Sequence, residues 1–188
     1  MGWIIGGVIL GAIALLVVWG IGVYNKLIKS REFARKAWQD IDVQLQRRFD
    51  LLPNLVNTVK GYMKHEEKTL TDIAKYRGLY NEASSVAEKG EVVSEMNSVL
   101  SRLMVSVEAY PELKANENFT QLQTELSETE NKISYTRQFY NDAVTKYNLL
   151  RQQIPTNIIA GIGNFEAMEL FKIDSEEAKK APTVDFNA

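Results

Sequence analysis

Residues 2–24, GWIIGGVILGAIALLVVWGIGVY, carry no charged side chain over 23 consecutive positions. As a helix rising about 1.5 Å per residue this stretch measures roughly 34 Å, enough to cross the hydrocarbon core of a bilayer. A cleaved signal would want a basic leading region, a shorter apolar core and a small-residue cleavage site. Here the apolar run starts at once and ends in Trp19, Tyr24 and a basic flank. The reading is an uncleaved anchor over residues 1–25, with the lipid bilayer as its first partner.

Lys26, Lys29, Arg31, Arg35 and Lys36 follow the span, and no Lys or Arg precedes it. Basic residues are retained on the cytoplasmic side, so the expected topology is single-pass with a very short N-terminus outside and the large domain in the cytoplasm. Gly2 and Gly6, like Gly7 and Gly11, are small residues four apart, a spacing that lets helices approach closely in lipid. The plainer account is that glycines are simply common in spans.

A second pattern starts inside the basic flank. Ala34, Trp38, Ile41, Leu45, Arg48, Leu52, Leu55, Val59 and Tyr62 fall on a 4,3,4,3 spacing, which continues through Glu66, Ile73 and Tyr80. That is one stripe along one helix. It predicts a first helix from near Tyr24 to about Tyr80, roughly 57 residues or about 85 Å long, continuous with the anchor. Pro53 interrupts the ladder by removing an N–H and crowding the carbonyl of Phe49. Asn54, Arg48 or a polar group from a later helix could satisfy that carbonyl, and the proline reads as a fixed kink or, less simply, as a hinge used in assembly.

Residues 81–90 (NEASSVAEKG) read as a break, with Gly90 as a stop. A second helix takes Val92, Val93, Met96, Val99, Leu100, Leu103 and Val107 on one face and ends at Tyr110-Pro111, because the residue before proline is pushed out of the helical region. The linker PELKANEN ends with Asn118, which with Gln121 resembles an N-terminal cap. The third helix places Phe119, Leu122, Leu126, Glu130, Ile133, Arg137, Tyr140, Val144, Tyr147 and Arg151 on its stripe, and Pro155 closes it. Residues 156–171 are expected to form a short fourth helix, and 172–188 a flexible acidic tail. No strand pattern occurs. The fold class is therefore all-α, a membrane helix followed over residues 26–171 by an elongated up-and-down bundle of three to four helices with a very long first helix.

The stripes contain charges. Arg48 and Glu66 on the first helix, and Glu130 and Arg137 on the third, are suited to pair across the bundle and fix its register; alternatively they snorkel at the stripe edge. Tyr62, Tyr76, Tyr135, Tyr140 and Tyr147 fall at helical spacings and read as core or helix–helix contacts.

The chain offers little for chemistry. A net charge of −2 and a pI near 5.6 leave no basic field for nucleic acid. There is no cysteine, and the one histidine, His65, is followed by Glu66 but lacks the second histidine of H-E-x-x-H, where Thr69 stands. Asp40, Asp42, Asp50, Glu125, Glu128 and Glu130 could in principle do acid–base work or hold a divalent cation, but carboxylates this frequent on helices read as a solvated face. No metal, cofactor or catalytic residue is assigned.

The runs AWQDIDVQLQRRFDLLPNLVNTVKGYMKHE, EAYPELKANENFTQLQTELSETENKISYTRQFYNDAVTKYN and IPTNIIAGIGNF resemble the LemA family of bacterial membrane proteins, over essentially the whole stretch from Tyr24 to Phe171. The resemblance implies an N-terminal membrane helix and a helical bundle in a bacterial inner membrane, with no established enzymatic activity and no catalytic residues to transfer. A related magnetosome protein suggests a role in membrane organisation. Asn164-Phe165 departs from the family, where Gly-Phe would be usual. The leading expectation is a non-enzymatic, self-assembling scaffold that forms homo-oligomers through helix–helix contacts, partly because a first helix longer than its partners leaves one end uncovered. The alternative is an adaptor that presents its helical face to another membrane protein, such as a protease, sensor or stress-response partner.

Overall fold

A computed structural model describes residues 1–63 and 67–173 of the chain. Among the described residues there are six helices and no strand: α1 (Gly2–Lys60), α2 (Glu67–Glu82), α3 (Val86–Val107), α4 (Pro111–Lys114), α5 (Glu117–Gln152) and α6 (Thr156–Ile162). The chain is all-α with a very long first helix, and the N-terminal part of that helix is long and apolar enough to cross a membrane.

The first helix stops sooner than the stripe predicts. Lys60 is its last residue and Gly61 the next; the amides of Tyr62 and Met63 both bond the carbonyl of Val59 at 2.9 and 3.0 Å, closing the final turn. The continued 4,3 spacing belongs to α2, which folds back on α1. The rings of Phe49 and Tyr80 lie 4.7 Å apart, and Arg77 donates to Asp50 at 2.8 Å. A stripe that reverses direction keeps its period, because each arm must still show one apolar face to the other. His65 and Glu66 lie outside the described residues.

The remaining differences are local. Gly90 is not a stop but a buried position inside α3. The break is shorter, and Ser85 ends it with a capping box: its hydroxyl accepts from the Glu88 amide at 3.1 Å, and the Glu88 carboxylate accepts from the Ser85 amide at 3.1 Å. Bonds from the amides of Ser84 and Ser85 and the Ser84 hydroxyl hold the Glu88 carboxyl below the usual range. The linker contains a helical turn, α4, with Pro111 at its start, where the missing N–H costs nothing. The cap of α5 is Asn116 rather than Asn118, its Oδ1 accepting from the Phe119 amide at 3.1 Å.

The fourth helix is shorter than expected, because a helix-ending turn follows Ile162. The Phe165 amide bonds the Ala160 carbonyl at 2.9 Å and the Asn164 amide bonds that of Gly161 at 3.2 Å, with Asn164 at φ 50°. This is the pattern in which the residue past the helix end turns left-handed. Glycine does so at least cost and asparagine tolerates it better than other side chains, which accounts for Asn164 where Gly would be usual.

The described chain resolves into two compact units. One joins Met1–Asp40 with Thr136–Glu169; the other joins Ile41–Tyr135 with the residues from Leu170 onward. In the first, Leu27, Tyr147, Ala160 and Phe165 form a core flanked by Val23, Ile28, Leu150, Ile159 and Met168. In the second, Ile41, Leu45, Leu52, Leu55 and Val59 of α1 are buried, as are Ile73 and Tyr80 of α2, Val93, Met96 and Leu103 of α3, and Phe119 and Ile133 of α5. Of the expected acidic tail, 174–188 lies outside the described residues. Lys172 lies within them, with its carbonyl against Gly90.

Candidate functional site

In the second unit, polar side chains gather on the apolar stripe of α1. Arg48 sits at a stripe position with its side chain 9% exposed, and its guanidinium donates to the carboxylate of Glu130 on α5, which is 43% exposed. Burial pulls the Arg48 pKa below its usual value, opposed by the neighbouring Glu130 charge. Arg48 Nε is buried without a hydrogen-bond acceptor among the described residues. One half of this pair is thus dry and the other wet.

Six residues earlier on α1, Asp42 is the centre of a smaller network. It accepts from Tyr80 Oη at 2.6 Å, from Lys89 Nζ at 2.8 Å and from Gln46 Nε2 at 3.0 Å, and Lys89 Nζ lies 4.6 Å from the centre of the Tyr80 ring. Burial favours the neutral carboxyl, but the Lys89 and Tyr80 hydrogen bonds, the Lys89 charge and Gln46 together hold Asp42 below its ordinary pKa. Burial, then the Asp42 bond and charge, push the Tyr80 phenol strongly upward. The network ties α1, α2 and α3 at one level. Sequence reasoning missed it because Asp42 reads as a surface carboxylate and Lys89 falls in the expected break; Tyr80 on the stripe was its one visible signal.

In the first unit, α5 grips the segment that follows α6. Tyr147 Oη donates to the Glu166 carbonyl at 2.8 Å and Tyr140 Oη to that of Glu169 at 2.7 Å. Asn148 makes a two-way bond with Met168, donating to its carbonyl at 2.9 Å and accepting from its amide at 3.1 Å. Residues 140, 147 and 148 share a helix face seven and eight apart, so an extended strand of backbone can be held without a β-ladder. Burial, with Glu169 nearby, pushes the Tyr140 phenol up to about 12. An open depression of about 490 Å³, lined by Arg151, Gln152, Asn157, Gly161, Asn164 and Glu166, lies at the junction of α5 and α6.

The other anticipated residues are placed as follows. Arg137 is half-buried on α5 with no ion pair among the described residues. Pro53 and Asn54 are exposed, and α1 continues past them to Lys60, the Thr58 hydroxyl donating to the Asn54 carbonyl at 2.9 Å. Tyr140 and Tyr147 are core, but Tyr135 is 73% exposed and Tyr62 is a surface residue bonded to Asn116, so the tyrosines are not one set. The helical spacing that grouped them spans more than one face. At Gly2, Gly6, Gly7 and Gly11 nothing stands within 4 Å of where a side chain would begin. Among the described residues, no three His, Cys, Asp or Glu come together in a way that could hold a metal ion.

Residues 37–186 match the LemA family. The chain belongs to the LemA family. Within that family it is 28% identical over 166 residues to Protein LemA of Metamycoplasma hominis, covering 85% of this chain and 76% of the relative. It is also 24% identical over 175 residues to Magnetosome protein MamQ 2 of Paramagnetospirillum magneticum and 22% identical over 174 residues to Magnetosome protein MamQ of Magnetospirillum gryphiswaldense. In both cases the match covers 79% of this chain and 64% of the relative, so the chain spans a little under two thirds of these magnetosome proteins. The LemA match takes in Asp42, Arg48 and Glu130 and the segment gripped by Tyr140, Tyr147 and Asn148, whereas the apolar stretch of α1 and its basic flank lie before it.

Proposed function

We propose that this LemA-family chain is a non-enzymatic, single-pass protein of a bacterial inner membrane, anchored by residues 1–25, that organises the membrane as a self-assembling scaffold. The observation that supports this most directly is the apolar part of α1. It is exposed from Gly2 to Trp19, and Gly2, Gly6, Gly7 and Gly11 leave its surface open for a close helix neighbour. The charged groups inside the bundle support a structural role as well. Arg48 with Glu130, and Asp42 with Lys89 and Tyr80, engage one another, as expected of groups that set register. Relatives named as magnetosome proteins favour an organising role over a catalytic one. The basic flank from Lys26 to Lys36 favours a cytoplasmic bundle.

The test is the particle formed by full-length protein in gentle detergent, imaged by single-particle electron microscopy. The expected result is an ordered assembly of many copies that falls to single chains when Gly6→Leu, Gly7→Leu and Gly11→Leu are combined, with helicity unchanged. A wild-type particle that is strictly monomeric overturns the scaffold reading. Cross-linking to one dominant foreign membrane protein would then identify an adaptor.

A further inference from the structure

Helix α6 is apolar on both of its faces. Ile159 and Ala160 turn into the core of the first unit, while Ile158 and Ile162, with Ile154 one turn before them, are 60%, 80% and 84% exposed. Only Thr156 and Asn157 are polar in the helix. A helix that is apolar all round belongs inside a protein or inside lipid, and among the described residues nothing covers this outer stripe.

Two contacts fix where α6 lies along α1. A methyl group built on Gly20 would stand 3.6 Å from Ile159 Cδ1, and the Tyr24 ring meets the Phe165 ring edge-on at 5.3 Å. Gly20 and Tyr24 are the last turns of the uncharged stretch, flanked by Trp19 on one side and Lys26 and Lys29 on the other. Tryptophan and tyrosine prefer the headgroup level, and lysines just beyond it meet anionic headgroups. Helix α6 is therefore level with the end of the span, and its bare isoleucines stand where a bilayer begins.

We infer that Ile154, Ile158 and Ile162 form an interfacial foot, inserted into the acyl boundary of the leaflet in which the apolar part of α1 ends. Its partner is the lipid surface. Helices that lie in the membrane interface bury an apolar face to about 5–10 Å. The foot gives the first unit a second attachment beside the span, and two attachments fix the rotation of α1 about its own axis where one does not. The inference rests on the reading that residues 2–24 cross the bilayer.

The chain has no cysteine, so single spin labels can be placed without background. Full-length protein carrying Ile158→Cys or Ile162→Cys is reconstituted in vesicles of phosphatidylcholine and phosphatidylglycerol, with Leu15→Cys as the span control and Gln39→Cys as the aqueous control. Each label is measured for collision with oxygen and with a water-soluble nickel chelate. The expected result is an oxygen-to-nickel accessibility ratio at positions 158 and 162 several-fold above that at Gln39 and approaching that at Leu15. A lipid signature at Leu15 with a water signature at 158 and 162 overturns the foot and leaves the span intact. Labels at 158 and 162 shielded from both reagents and broadened by spin–spin coupling would put a second copy there and also overturn it. A water signature at Leu15 would remove the span reading and the foot with it.

Discussion

Replacing Glu130 with methionine leaves the Arg48 guanidinium in a nearly dry site with no carboxylate to meet it. Removing one partner of a buried pair costs about 3–5 kcal/mol. The low end, about 3 kcal/mol, applies here, because the arginine stem can carry the charge part-way toward the rim that Glu130 occupies. The reverse substitution differs. In Arg48→Met the buried position receives an unbranched apolar chain of similar length, and the orphaned Glu130 carboxylate, 43% exposed, hydrates where it stands. That variant should lose only about 0–1 kcal/mol. The double variant should resemble Arg48→Met. For a chain of this size each kcal/mol shifts the melting temperature by about 2–4 °C, so Glu130→Met should melt roughly 6–12 °C below the wild type, and Arg48→Met and the double variant within about 4 °C of it. Thermal melts of full-length protein in one detergent, followed by far-UV circular dichroism, measure all four species. Equal losses in the two single variants, or additive losses in the double, would refute the argument that burial is unevenly shared and that the ions are coupled.

Three further outcomes are expected. In Gly90→Ala the new Cβ would collide with the Lys172 carbonyl oxygen, destabilising the protein by about 1–3 kcal/mol despite better helix propensity; Gly78→Ala, on α2 with open space around it, should instead gain up to about 1 kcal/mol, and denaturant titration of the two variants separates the effects. Asp42 is held below its ordinary value of 3.8; a depressed carboxyl adds stability above its unfolded pKa and loses it as pH falls through the folded one, so the stability gap between wild type and Asp42→Asn, measured by urea titration, should be constant near neutrality and close on acidification below about pH 4. Ser85→Ala, which deletes one half of the capping box, should cost about 1 kcal/mol, and hydrogen exchange should show the first turn of α3 opening before the rest of the helix.

Much of the secondary structure was legible in the sequence. The uncharged stretch, the 4,3 stripes, Pro111 and Pro155 each act within one turn of the chain, and local signals of that kind survive folding. The boundaries that differ have separate causes. Glycine's low helix propensity makes Gly90 a stop by local signal, yet it is buried within α3 because a neighbouring backbone needs the space a Cβ would fill. The stripe through Tyr80 looks like one helix in sequence because the period is unchanged when the chain turns and a second helix runs back along the first.

By itself the sequence determined an all-α chain with an apolar segment long enough to cross a membrane, a long first helix, and charged residues on apolar stripes, because each depends on residue type and spacing alone. Only the tertiary structure decided which groups meet: Arg48 with Glu130, Asp42 with Lys89 and Tyr80, the tyrosines and Asn148 of α5 with the backbone after α6, and α6 with the last turns of the apolar stretch. The hydrogen-bonded partners lie 19 to 82 residues apart in the chain, and α6 lies farther still from the turns of α1 that it meets. A one-dimensional period places a side chain on a face, but the neighbour facing it is chosen by where the chain turns and how closely two backbones can approach.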